Sequence, residues 1–168
     1  DTSGVLLFSI HRRAHKPLTA IFRERRAKKL YRLLAAGAFP EGEGEFRSLL
    51  ARNRGSNRMK SVAAGGKEAV TRFRVLEQFA EAAYLEAEIV TGRSHQIRAH
   101  FSEAGHGLLG DSRYGGPESL SGQRFRRPML HSFHLALPHP VTGAPLELAA
   151  SPPADINEAL SRFRRGDQ

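Results

Sequence analysis

The chain has 168 residues, 40% hydrophobic and 26% charged, enough for one domain with a real core and too few for two ordinary ones. No apolar run approaches membrane-spanning length, and the absence of cysteine excludes disulfides and thiolate chemistry and fits a reducing compartment. Twenty-six Lys and Arg against 17 acids leave a net charge of +9, mostly arginine, whose planar fork grips phosphate; this excess points toward nucleic acid over a merely solvated basic surface.

Asp1-Thr2-Ser3-Gly4 is a turn signal, followed by the apolar run Val5 to Ile10, which predicts a buried strand. A start without methionine that drops straight into a core strand marks residue 1 as an interior point of a longer protein. Lys16 to Lys28 predicts a helix with Leu18, Ile21, Phe22 and Arg25 at helical spacing, and five of the seven residues Arg23 to Lys29 are basic. Leu30 to Ala36 predicts a strand with Tyr31, Leu33 and Ala35 on one face. Residues 40–66 are rich in Gly, Glu, Arg and Asn and predict short strands and loops, with Arg52 to Arg58 an exposed basic loop and Gly65-Gly66-Lys67 a hairpin turn. Thr71, Phe73 and Val75 alternate with arginines, and Leu85, Ala87 and Ile89 with glutamates, as half-buried strands do.

The most informative stretch is Thr91-Gly-Arg-Ser-His-Gln-Ile-Arg-Ala-His100. Thr91-Gly92 makes a turn, Ser94 is the expected N-cap and Gly105 the expected stop. Ile97 and Phe101 anchor one helical face, which leaves His95 and Arg98 together on the wetter one. Arg93, His95, Gln96, Arg98 and His100 are too many long polar side chains to bury, and a helix start rimmed with them suits an anion, phosphate above all. A Gly- and Ser-rich loop then leads to Gln123, strands follow at Leu130 to Leu137 and Pro145 to Leu148, and Ile156, Leu160 and Phe163 mark a closing amphipathic helix. With no internal repeat and no linker, mixed strands and a few helices predict an α+β fold.

The eight histidines form no helical pair flanking a glutamate and no cysteine assists them, so no metal site is read. Ser3 lies outside the G-x-S-x-G elbow, which argues against a serine hydrolase. Tyr31 stands as a core aromatic, with an RNA-stacking role open because it follows a basic helix end.

Five segments carry a resemblance: Asp1 to Phe8, Lys29-Leu-Tyr31, Thr91 to His100, Gly105-His-Gly-Leu-Leu-Gly-Asp111 and Leu130-His131. In this order and spacing they resemble the RluA-type pseudouridine synthases, nearly end to end. The resemblance implies a pseudouridine synthase fold, a mixed and mostly antiparallel sheet flanked by helices, spanning residues 1–168 and lacking its N-terminal part, with an S4-type RNA-binding domain as a candidate upstream. It implies a cytoplasmic, monomeric RNA-modifying isomerase that needs no cofactor and no metal, flips a uridine of ribosomal or transfer RNA into a cleft, breaks C1′–N1 and rejoins ribose through C5. Tyr31 resembles the tyrosine that packs on the flipped base and takes part in removing its C5 proton. Arg93 resembles the arginine that pairs with the catalytic aspartate and contacts the phosphate chain, and Leu130 the apolar residue that closes the pocket. Lys29, His95, Gln96, Arg98 and His131 are implied as substrate- or RNA-binding. The family's catalytic aspartate precedes Thr-Ser-Gly by two further residues, so Asp1 is not the nucleophile, which falls two places upstream. Gly107 stands where proline is usual and Ser132 where alanine is usual. The alternative is a non-catalytic RNA-binding module or inactive paralogue on the same fold.

Overall fold

The structure is a computed structural model that describes residues 2–166. Strands β1 (Ser3–Gly4), β2 (Lys28–Ala36), β3 (Glu43–Arg52), β4 (Met59–Ser61), β5 (Lys67–Gln78), β6 (Ala82–Ile89), β9 (Leu130–Pro138) and β10 (Pro145–Ala149) form one eight-stranded sheet. Its order is β1-β9-β2-β6-β5-β3-β4, with β10 also on β9. Every pairing in it is antiparallel except β1 with β9. Strands β7 (Ser119–Leu120) and β8 (Gln123–Arg124) make a separate small hairpin. Helices are α1 (Arg12–Arg23), α2 (Gln96–Glu103) and α3 (Ala154–Gly166). The α+β expectation holds.

Period-two alternation in β2 sorts the core. Leu33 and Ala35 join Leu85, Ala87, Ile97 and Phe101 under α2, whereas Leu34 joins Tyr84, Phe79, Ile156, Leu160 and Phe163 under α3. Helix α1 packs Ile21 and Leu18 on Leu135 and Leu137. The β2–β9 register shifts between Leu30 and Tyr31, where Ser132 faces Tyr31, His134 faces Leu30, and Phe133 is the extra residue. This bulge puts Ser132 beside Tyr31 and returns Leu135 to the face beneath α1.

Four sequence expectations are corrected. Val5 to Ile10 is not a buried strand, and Leu6, Phe8 and Ile10 are 74%, 73% and 87% exposed. Strand β10 pairs with β9 from His134 to Pro138, so beyond the Val5 N–H bond to the Ser132 carbonyl this segment meets no free edge of β9. The first helix begins at Arg12 and stops at Arg23, because Arg25 turns left-handed (φ +59°) and Arg26 N–H returns to the Ile21 carbonyl, a stop usually marked by glycine. Residues 43–52 form one long strand, since Gly44 is a close approach: a Cβ there would lie 2.7 Å from the Phe73 ring. In α2, Ser94 does not cap; His95 occupies the N-cap position in left-handed conformation (φ +50°).

The fifth correction concerns burial. Gln96, Arg98 and His100 are all inside, at 3%, 7% and 4% exposure. Arg98 can be buried because Asp111, 1% exposed, takes its Nε and one terminal nitrogen at 2.6 Å each, and its guanidinium lies 4.8 Å from the centre of the Tyr114 ring. The other Asp111 duty is local: it accepts the Tyr114 N–H at 3.2 Å. Removing one partner of a buried pair strands the other charge. Asp111→Ala is therefore expected to destabilise the chain by about 3–5 kcal/mol in chemical denaturation, well above the loss from an exposed pair such as Arg26–Glu24.

Candidate functional site

Strand β6 ends at Ile89, and the next six residues must turn the chain into α2. The Gln96 side chain holds that turn. Its Oε1 accepts the Thr91 hydroxyl at 2.6 Å and the Arg93 N–H at 3.1 Å, and its Nε2 donates to the Val70 carbonyl at 2.9 Å and Thr71 Oγ1 at 3.0 Å. Thr91 Oγ1 in turn accepts the Val70 N–H at 3.0 Å. From Thr71 the chain of contacts runs to His100 Nδ1 at 2.9 Å and from His100 Nε2 to Ser48 at 3.0 Å. With the turn pinned to β5 from behind, Arg93 and His95 are carried forward.

They face a cavity of about 330 Å³, near the lower end of the range for ligand pockets. Tyr31, Leu130 and Ser132 line it from β2 and β9, Ile89 and the segment from Arg93 to Arg98 form one side, and residues 2–6 the other. The second side is held in place at Gly4, whose φ is +108° and where a Cβ would lie 2.1 Å from the Ser132 carbonyl oxygen, so only glycine lets β1 approach β9 this closely.

Six predicted residues, Tyr31, Arg93, His95, Gln96, Arg98 and Leu130, thus line one cavity. They are not equivalent. Arg93 donates Nε to the Glu68 carbonyl at 2.9 Å, and among the described residues no carboxylate pairs with its guanidinium. His95 Nδ1 lies 3.0 Å from the Tyr114 hydroxyl, which also accepts the Met59 N–H. Gln96 and Arg98 are engaged as supports by the bonds described above. Lys29 is not among the lining residues; its ammonium lies 3.5 Å from the Thr91 carbonyl, at the start of the turn that carries Arg93. His131 is the exception: it is 2% exposed, with Nδ1 at 2.9 Å from Ser3 Oγ and Nε2 at 2.8 Å from the Ala150 carbonyl, so it ties β1 to the end of β10 and offers nothing to a ligand. Asp1 lies outside the described residues.

Asp111, Tyr114, Thr71, Ser132 and Glu68 support the site without having been read as doing so. Asp111 had a signal, its place in the Gly105–Asp111 segment, but nothing local links it to Arg98 thirteen positions earlier. Ser132 was visible only as a departure from a family pattern.

Burial raises the Tyr31 phenol above its ordinary pKa, partly offset by a hydrogen bond with the Ser132 side chain, so Tyr31 stays protonated at neutral pH. Burial, then the charges of Arg98 and Arg113, lower His95, which is neutral there. Burial, then the charge of Arg25, lowers Lys29. The cavity therefore offers a phenol, an apolar floor and a guanidinium, that of Arg93, with no carboxylate partner among the described residues: a fit for a flat heterocycle attached to an anion.

The sequence model of the RNA pseudouridylate synthase family matches residues 1–103. The chain is 36% identical to ribosomal large subunit pseudouridine synthase D of Neisseria meningitidis serogroup A over 98% of this chain and 46% of that protein. It is 37% identical to ribosomal large subunit pseudouridine synthase C of Vibrio cholerae over 98% of this chain and 53% of that one. The chain thus spans about half the length of the curated relatives it matches. Human RNA pseudouridylate synthase domain containing 4 has the same fold, with a TM-score of 0.77 at 23% identity over 92% of this chain and 69% of that one.

The buried network gives a pH signature. Burial holds His100 below its ordinary pKa. A depressed pKa leaves the contribution intact above the unfolded value of about 6.5, and it is lost as pH falls through the folded value, because the unfolded chain takes the proton first. Between about pH 7.5 and about pH 5.5 the wild type is expected to lose more unfolding free energy than His100→Gln, measured by urea titration at each pH.

Proposed function

The chain belongs to the RNA pseudouridylate synthase family, and on that premise we propose that it forms the catalytic domain of an enzyme that isomerises uridine in RNA to pseudouridine. The observation that carries this reading is Arg93: a guanidinium with no carboxylate partner among the described residues, facing a cavity floored by Tyr31 and Leu130. In the family's pattern an aspartate fills that role, and we propose that it stands two residues before Asp1.

A uridine flipped into the cavity loses its stacking in the RNA and regains contact with Tyr31 and the apolar side chains of Leu130, Ile97 and Ile89. Arg93 keeps the aspartate ionised and oriented. The reaction breaks C1′–N1 and makes C1′–C5; the proton lost at C5 is balanced by one gained at N1, so no redox partner enters. Because Tyr31 is a phenol rather than a phenolate, it takes the C5 proton only in exchange for its own, which goes to the N1 left bare by the glycosidic cleavage. The positive surface suits an RNA partner, and among the described residues no helix is long and apolar enough to cross a membrane.

In the full-length protein Arg93→Ala is expected to lower pseudouridine formation about a hundredfold or more, the scale of losing one preorganised charge partner. Near-normal turnover of a large-subunit ribosomal RNA transcript by that variant would remove Arg93 from the chemistry. Tyr31→Phe is expected to keep RNA binding while slowing tritium release from C5-labelled uridine. Unchanged release would confine Tyr31 to stacking.

A further inference from the structure

Arginines from three separate segments meet at Glu68, at the start of β5: two on its carboxylate and Arg93, from the cavity wall, on its backbone carbonyl. One Glu68 oxygen takes Arg25, from the turn after α1, at 3.1 Å; the other takes Arg47, from β3, at 2.8 Å. Its carbonyl oxygen takes Arg93. Lys29, at the start of β2, has only the Thr91 carbonyl at 3.5 Å among the described residues. Glu45 holds Arg47 from its other side at 3.0 Å and also takes Arg72.

This arrangement is short of negative charge. Lys29 is half-buried, and after burial itself the charge of Arg25 does most to destabilise its protonated form, with Glu88 a lesser counterweight. Arg25 reaches Glu68 from a left-handed backbone position that non-glycine residues seldom occupy. The Arg25–Glu68 and Arg47–Glu68 pairs are solvent-exposed, and such pairs exchange partners readily. A phosphodiester offers the oxygens that guanidinium forks bind best.

We propose that Arg25, Lys29 and Arg47 form a phosphate-binding subsite for the RNA strand beside the flipped nucleotide, and that the Glu68 carboxylate holds the phosphate's seat until RNA displaces it. The subsite rests on the proposed RNA reading, since it lies next to Arg93. Glu68 thereby acts as a built-in competitor: it keeps two arginines ordered and lowers affinity for RNA that cannot displace it.

The test uses full-length protein and a fluorescein-labelled stem-loop RNA with uridines in its loop, with affinity measured across a salt series. Arg25→Asn removes the charge with a residue that tolerates the left-handed backbone. It is expected to weaken binding severalfold and to make the slope of log K against log salt shallower by about 0.7, the value for one phosphate contact on a single strand. Glu68→Gln is expected to act in the opposite direction, tightening binding severalfold. If Glu68 only braces the two arginines, Glu68→Gln weakens binding as Arg25→Asn does, and that result overturns the proposal; so does an unchanged affinity in either variant. Inorganic phosphate that released the RNA at concentrations near those of the RNA would make this a free-phosphate site and overturn the strand assignment. Pseudouridine formation by the wild type on a ribosomal RNA transcript is scored separately. A protein that forms pseudouridine without the opposed effects loses only the subsite, and one that shows them without forming pseudouridine loses only the enzymatic reading.

Discussion

A glutamine side chain can make four hydrogen bonds, two through its oxygen and two through its NH2 group, and Gln96 makes all four inside the protein. They join three things that chain connectivity leaves independent: the end of β6 through Thr91, the start of α2 through the Arg93 N–H, and the middle of β5 through Val70 and Thr71. Each bond contributes a net of only about 1 kcal/mol, but each leaves a buried group unsatisfied if broken, so the set acts as one unit. The position of Arg93 follows from it. A guanidinium on an unpinned loop would sample the cleft; here its own backbone N–H is fixed to Gln96.

Charge is sorted in the same way. Arg98 is bound bidentately by Asp111 and serves the scaffold. Arg32 is bound by Glu86 at 2.9 Å and lies over Phe133, on the face away from the cleft. Arg127 is bound by Asp155 at 2.8 Å near α3. At the cleft the pattern changes: Arg93 and Lys29 have carbonyls but no carboxylates among the described residues, and the histidine there is neutral. A net charge of +9 is a statement about the whole surface, whereas unpaired cations beside a cavity point to where an anion sits.

Much was legible where side-chain periodicity speaks. Tyr31, Leu33 and Ala35 share a face as their spacing implies, and Ile156, Leu160 and Phe163 form the inner stripe of α3. Gly44 weakened the case for β3 although it makes room for Phe73; Arg25 hid a helix stop because left-handed residues are usually glycine; and Val5 to Ile10 looked like a strand because composition cannot show whether a sheet edge is already taken. For Gly44 and for Val5 to Ile10 the deciding partner is distant in sequence, whereas the stop after α1 is local and lacks only the usual glycine.

The sequence by itself determined the family, the α+β class and six of the residues that line the cavity, since these depend on residue types at short spacings and on motif order. Tertiary structure alone decided the division of labour within Thr91 to His100. Read locally, Arg93, His95, Gln96, Arg98 and His100 are five polar side chains on a helix start. Asp111 makes Arg98 buriable, Thr71 and Ser48 do the same for His100, and Val70 does so for Gln96; Arg93 is left facing the cavity. A polar group goes inside only if something there satisfies it, and which groups are satisfied depends on contacts that no local spacing records.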